Sequence, residues 1–124
     1  MKLLSAVIVL SSLVSVTGTA MAASDNPTVA KKTVSYRCQQ GNRVAVTYGF
    51  NKQGLTTYAS AVVKGRRVTM PIDLNRSDNQ ETYYGKQGGY VLGTGYMDSK
   101  SYRDQSIMIT NPNDEIIYKD CSPR

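Results

Sequence analysis

The sequence predicts an all-β domain, an antiparallel barrel or sandwich of seven or eight short strands. Three observations predict it. Apolar and polar residues alternate with a period of two along several short runs, the mark of half-buried strands. Glycine, asparagine and proline punctuate those runs at short spacing. No segment of ten or more residues carries a 3.6-residue apolar period, so no long helix is expected.

At the N-terminus, Met1-Lys2 gives a short positive end, Leu3 to Val16 is almost unbroken apolar or small, and Ala20-Met21-Ala22 forms an A-x-A cleavage signal. These features define a secretory signal peptide over 1–22, its apolar run too short to span a membrane. No cysteine follows the cleavage site, so no lipid anchor of the bacterial lipoprotein kind is expected. The mature chain is expected to be exported to the periplasm, to the outer-membrane surface or into the medium. Ala23–Lys32 is polar, contains Pro27 and reads as a flexible leader. Residues 33–124 are enough for one domain with one modest core.

Within that domain Val34, Tyr36 and Cys38 alternate with polar neighbours. Gln40-Gly41-Asn42 breaks the run, and Val44, Val46 and Tyr48 resume it, which makes a hairpin. Asn51-Lys52-Gln53-Gly54 is a turn before the β-branched run Thr56–Val63. Lys64-Gly65 turns the chain into Val68-Thr69-Met70, and Pro71 confines that strand to an edge or a strand end. Asp73–Gln80 is a polar loop; Glu81–Tyr84, Gly89–Thr94 and Ser106–Thr110 read as further strands. Asn111-Pro112-Asn113-Asp114 is a turn signal, and Glu115–Asp120 closes the chain as a strand leading into Cys121.

Cys38 and Cys121 are the two cysteines. In an oxidising compartment such a pair favours a disulfide over two free thiols, and neither sits in a C-x-x-C. Joining the first strand to the last would close the sheet and remove its edges. In the chain-entropy treatment, closing a loop of about 80 residues stabilises by roughly 4–5 kcal/mol. Without Lys2, fourteen Lys and Arg stand against nine Asp and Glu, a net +5. Such a charge favours solubility and anionic surfaces.

The chemistry that is missing is informative. The chain has no histidine, which removes the commonest general base, the usual Ser and Cys triads and most zinc sites. Its carboxylates are scattered, and there is no phosphate-cradling glycine motif. No catalysis, cofactor, metal or nucleic-acid partner is expected. Binding remains. Tyrosine suits interfaces, but with one Phe and no Trp the core must use tyrosine too. Alternation assigns Tyr36, Tyr48, Tyr58, Tyr90 and Tyr118 to the core. One of the adjacent pair Tyr83 and Tyr84 should face out, and Tyr96 and Tyr102 flank a polar turn. Gly85, Gly88-Gly89 and Gly93-x-Gly95 mark bulges and bends.

Four features in chain order carry a family resemblance: Tyr36-Arg37-Cys38 opening the domain, a serine-bearing loop before a tyrosine from Ser77 to Tyr83, Gly-x-Tyr-Val from Gly88 to Val91, and the closing Tyr118-Lys119-Asp120-Cys121. Together they resemble the MliC/PliC family of bacterial c-type lysozyme inhibitors. Stretches such as NPTVAKKTVSY, VTYGFNKQGLTTYASAV, GGYVLGTG, MDSKSYRDQSIMIT and KDCSPR extend the likeness, to an outer-membrane-associated branch, over essentially the whole mature chain. The resemblance implies a flattened, eight-stranded antiparallel barrel that plugs the lysozyme cleft and takes part in attachment to host cells. It implies that a loop serine and a lysine engage the two catalytic carboxylates of lysozyme. Ser77 matches the serine. The family's aromatic-Ser-Lys-Gly run is replaced here by Gly93-Thr94-Gly95, and Ser99-Lys100 restores the Ser-Lys pair through an insertion. Lys100 is therefore the candidate, with Lys86 in reserve, and Tyr83, Ser99, Tyr96 and Arg103 complete the contact set. The alternative expectation is an adhesin that binds anionic host glycans or lipids through Lys64, Arg66 and Arg67.

Overall fold

Alternation decides which residues meet in the middle. In the computed structural model, which describes residues 27–124, Val34, Tyr36, Val44, Val46 and Tyr48 all turn inward and are buried. The strands are β1 (Thr28–Arg37), β2 (Arg43–Asn51), β3 (Thr56–Val63), β4 (Arg66–Pro71), β5 (Glu81–Tyr84), β6 (Val91–Gly95), β7 (Ile107–Thr110) and β8 (Ile116–Pro123). The signal peptide over 1–22 and the start of the leader lie outside the described residues. The flexible leader expected up to Lys32 ends sooner, because β1 already begins at Thr28. Ala30, Lys31 and Lys32 pair with Phe50, Gly49 and Tyr48 of β2. Backbone pairing holds this part of the strand while its side chains stay exposed, so no apolar alternation advertises it.

The eight strands form one antiparallel sheet in the order β4-β3-β2-β1-β8-β7-β6-β5, curled into a nearly closed barrel. Its outer members approach each other through the bridge Ile72↔Tyr84. There the Gly85 N–H donates to the Pro71 carbonyl at 2.7 Å and the Asp73 N–H to the Tyr83 carbonyl at 2.8 Å. Pro71 has no N–H to give, so it suits the last residue of an outer strand.

The joint between β1 and β8 is short, only Tyr36↔Pro123 and Arg37↔Ser122. The Cys38–Cys121 disulfide clasps it. In β8, Asp120 has a positive φ of 52°, and the register against β7 slips between Ile107 and Ile109. This bulge breaks simple alternation and returns Cys121 to the interior.

Tight turns follow their residue chemistry. Lys64 and Gly65 both take positive φ, 51° and 79°, as a two-residue hairpin of the primed type requires. Asn51 and Asn111 each cap a five-residue turn, their Oδ1 accepting N–H groups from Gln53 and Leu55 and from Asn113 and Glu115.

The core is led by Tyr36, Tyr48, Tyr84, Phe50, Met70, Leu92 and Met97. Buried phenols need partners. The Tyr36 and Tyr48 hydroxyls bond each other at 2.6 Å, and that of Tyr84 meets the Thr56 hydroxyl at 2.6 Å. Tyr90 and Tyr118 are half-buried at the core's margin. Tyr58, expected in the core, points outward instead. Inward positions of β3 lie in rows between large neighbours, Tyr48↔Ala59↔Met70 and Val46↔Ala61↔Val68. Those rows leave room for alanine, which puts Tyr58 on the opposite face of the pleat.

Candidate protein-binding site

Two loops meet at one end of the barrel. The first, 73–80, is braced by its own polar side chains. The Asp73 carboxylate accepts the Asn75 N–H and the Arg76 Nε–H, both at 3.0 Å. The Asp78 carboxylate accepts the Gln80 and Glu81 N–H groups at 2.8 and 2.9 Å. The hydrogen bond from Arg76 holds the Asp73 carboxyl below its usual range, and the two backbone N–H groups do the same for Asp78. The Ser77 hydroxyl donates to the Asp73 carbonyl at 2.7 Å and accepts the Tyr83 N–H at 2.9 Å. Held this way, the loop raises Leu74 into solvent, 70% exposed.

The second loop joins β6 to β7. Asp98 organises its tip by accepting the N–H groups of Lys100 and Ser101 at 2.9 Å, and the first of these bonds leads in lowering its pKa. The loop is tied to the β2–β3 turn by the Leu55↔Asp98 bridge and by the Ser99 N–H, which donates to the Gly54 carbonyl at 2.9 Å. Gly54 is required there. Its φ is +83°, and a Cβ would stand 2.7 Å from the Ser99 hydroxyl. Beneath, Met97 is buried and Tyr102 packs on Phe50 with ring centroids 5.7 Å apart.

Between the loops lies a concavity of about 170 Å³ whose lining includes Leu55, Ile72, Leu74, Ser77, Tyr96 and Met97. Three of the protein's exposed large hydrophobics, Leu74, Leu55 (45%) and Tyr96 (38%), are gathered here. Such a cluster marks an interaction surface more than isolated exposed residues do. Lys100 stands exposed on the adjoining loop, and the single ion pair among the described residues is Arg76–Asp73, so Lys100 has no carboxylate partner there.

The six expected contact residues separate accordingly. Ser77 and Tyr96 share the concavity, while Ser99, Lys100 and Arg103 follow on the second loop. Tyr83 lies elsewhere, on the outer wall of β5, with the Arg76 guanidinium 4.8 Å above its ring and its hydroxyl donating to Glu81 at 3.0 Å. Lys86, the reserve lysine, borders a neighbouring hollow that shares Leu74. Leu55 and Leu74 were not anticipated. Their signal was present: each is a large apolar residue at a turn or in an otherwise polar loop, where burial would not be expected. Among the described residues no group of three or more His, Cys, Asp or Glu is placed to hold a metal, and no helix is long and apolar enough to cross a membrane.

Fold and site define a disulfide-clasped, eight-stranded β-barrel domain with an apolar, lysine-flanked end. Residues 32–123 match the model of the ACP-like domain, Nm-ACP, and the chain belongs to that family. It is also similar to the Adhesin Complex Protein from Neisseria meningitidis, with 72% identity and a TM-score of 0.73 over 76% of this chain and 100% of that chain. None of the curated proteins matches the sequence.

Proposed function

We propose that this protein is an exported, non-enzymatic surface adhesin that also inhibits host c-type lysozyme by docking the Leu55–Leu74–Tyr96 end of the barrel at the enzyme's cleft. One observation carries the reading: exposed apolar side chains converge beside an unpaired lysine on braced loops. Adhesion is supported by the name of the similar meningococcal protein. Inhibition is supported by the likeness to the MliC/PliC inhibitors, with the signal peptide carrying the protein to the periplasm or the outer-membrane surface.

c-Type lysozyme works through a carboxylic acid and a carboxylate ~5 Å apart. In this reading the Lys100 ammonium, with Ser99 and Arg103 beside it, meets that acidic pair. Leu55, Leu74 and Tyr96 cover the cleft and exclude water, which strengthens the charge contact. Ser77 acts through the loop, since its hydroxyl already bonds Asp73 and Tyr83. Both proteins are basic, so long-range steering opposes the encounter and the local acidic cleft supplies the attraction.

The test is residual lysozyme activity against a titration of the mature protein. Stoichiometric inhibition is expected, with Lys100→Ala weakening it by about 2–5 kcal/mol and Leu74→Ser also reducing it. A parent protein that leaves lysozyme fully active would sink the inhibitor reading. A second reading, adhesion alone, is favoured by Lys64, Arg66 and Arg67, all exposed around the β3–β4 turn. It predicts steep loss of binding with salt and indifference to lysozyme.

A further inference from the structure

Charge is divided between the two halves of the barrel. Residues 27–72, which supply β1 to β4, carry eight Lys and Arg and not one Asp or Glu. Residues 73–124 carry six Lys and Arg against eight Asp and Glu. The strands β4-β3-β2-β1 are contiguous in the sheet, so the sequence asymmetry becomes one continuous cationic wall.

On the outer face of that wall the register builds a cross-strand row of hydroxyls, Thr33↔Thr47↔Ser60↔Thr69. The Thr33 and Thr47 hydroxyls lie 2.8 Å apart. Along one side runs the row Lys31↔Gly49↔Tyr58↔Pro71. Gly49 lets the Tyr58 ring lie down on the sheet, since any Cβ there would meet that ring. On the other side Arg67 reaches over to donate to the Ser60 hydroxyl at 3.0 Å. Lys31, Tyr58, Arg67 and the hydroxyls between them line a groove of about 400 Å³.

We propose that this groove binds a linear sulfated glycan, which deepens the adhesion reading by giving it a site and a ligand class and is independent of the lysozyme reading. The residue types fit one polymer. The planar fork of Arg67 and the point charge of Lys31 suit oxyanions on either side of a chain. The face of Tyr58 suits the apolar face of a sugar ring, and hydroxyls on the floor suit its hydroxyls. A membrane surface would call for large protruding apolar anchors beside the cations. This groove instead carries the hydroxyls of Thr47, Ser60 and Thr69, and the exposed apolar residue beside Arg67 is the short Val62.

The probe is a heparin dodecasaccharide, with affinity measured by calorimetry at low and at physiological salt. Lys31→Gln and Arg67→Gln should each raise Kd about tenfold, the loss of one charge-assisted contact. Arg43→Gln and Lys52→Gln remove the same charge elsewhere in the same half and should change Kd about twofold at most, as screened charges do. Tyr58→Leu keeps apolar cover over Gly49 and removes only the ring, so a comparable loss there marks a sugar site as distinct from bare charge. Thermal unfolding of each variant separates misfolding from lost contact, and lysozyme inhibition should be unchanged in all of them.

Equal losses in all four charge variants with Tyr58→Leu silent would overturn the groove and leave adhesion to a diffuse field. Preference for phosphatidylserine vesicles over heparin would overturn it in favour of a membrane surface. Absence of heparin binding at low salt would overturn it outright.

Discussion

Tyr36 and Tyr48 show how single residues carry this fold. Each places a phenol where no water reaches, and each phenol takes the other as its partner at 2.6 Å. Tyr36→Phe removes one hydroxyl and leaves that of Tyr48 buried without a partner. That substitution should destabilise the domain by about 1–3 kcal/mol in urea unfolding. The Tyr36→Phe/Tyr48→Phe double variant should lie closer to the parent than the sum of the two singles, because no orphan remains. Both inward positions were legible from alternation; the bond between them was not. Tyr36 pairs with Val44 and Tyr48 with Lys32, and the two phenols meet only by reaching toward each other along the barrel interior.

At the scale of elements, the β5–β6 connection is crowded against its own backbone at Gly85. Gly85 has φ +91°, and a Cβ there would collide with the carbonyl oxygen of Tyr90. Its N–H also closes the barrel onto Pro71. Gly85→Ala should therefore cost roughly 2 kcal/mol or more, measured by thermal or urea unfolding. Gly88→Ala, with φ +91° and open space around it, pays only the backbone strain and should cost about 1 kcal/mol. The glycine-rich stretch announced bends in the sequence, but which glycine is hemmed in follows from the neighbour packed against it. The same limit applied to β3, where apolar residues occupy both parities and the large side chains of β2 and β4 chose the alanine face.

Across the whole molecule, buried phenols set an alkaline limit. Burial pushes the Tyr36 hydroxyl up to about 12, and raises those of Tyr48 and Tyr84 as well. In the unfolded chain these groups titrate near pH ~10. Below that value both states keep the proton and stability is unaffected. As pH rises from there through about 12, the unfolded state releases protons that the folded state retains, and stability falls. Circular dichroism should show loss of the fold in that window. Tyrosinate absorbance should show Tyr36, Tyr48 and Tyr84 ionising only with unfolding.

The sequence by itself determined the strands, their turns, the inward faces of β1 and β2 and the availability of two cysteines for a clasp. Those features are local: pleat period and turn chemistry act over two to five residues. Only the tertiary structure decided that β1 begins at Thr28, that Tyr58 faces out, that Leu55, Leu74 and Tyr96 converge beside Lys100, and that four strands without an acidic residue stand side by side. Each of those depends on pairing or packing between segments, neighbours in sequence for β1 to β4 and distant for the loops beside Lys100. There register and steric fit select one arrangement among several that the local pattern allows.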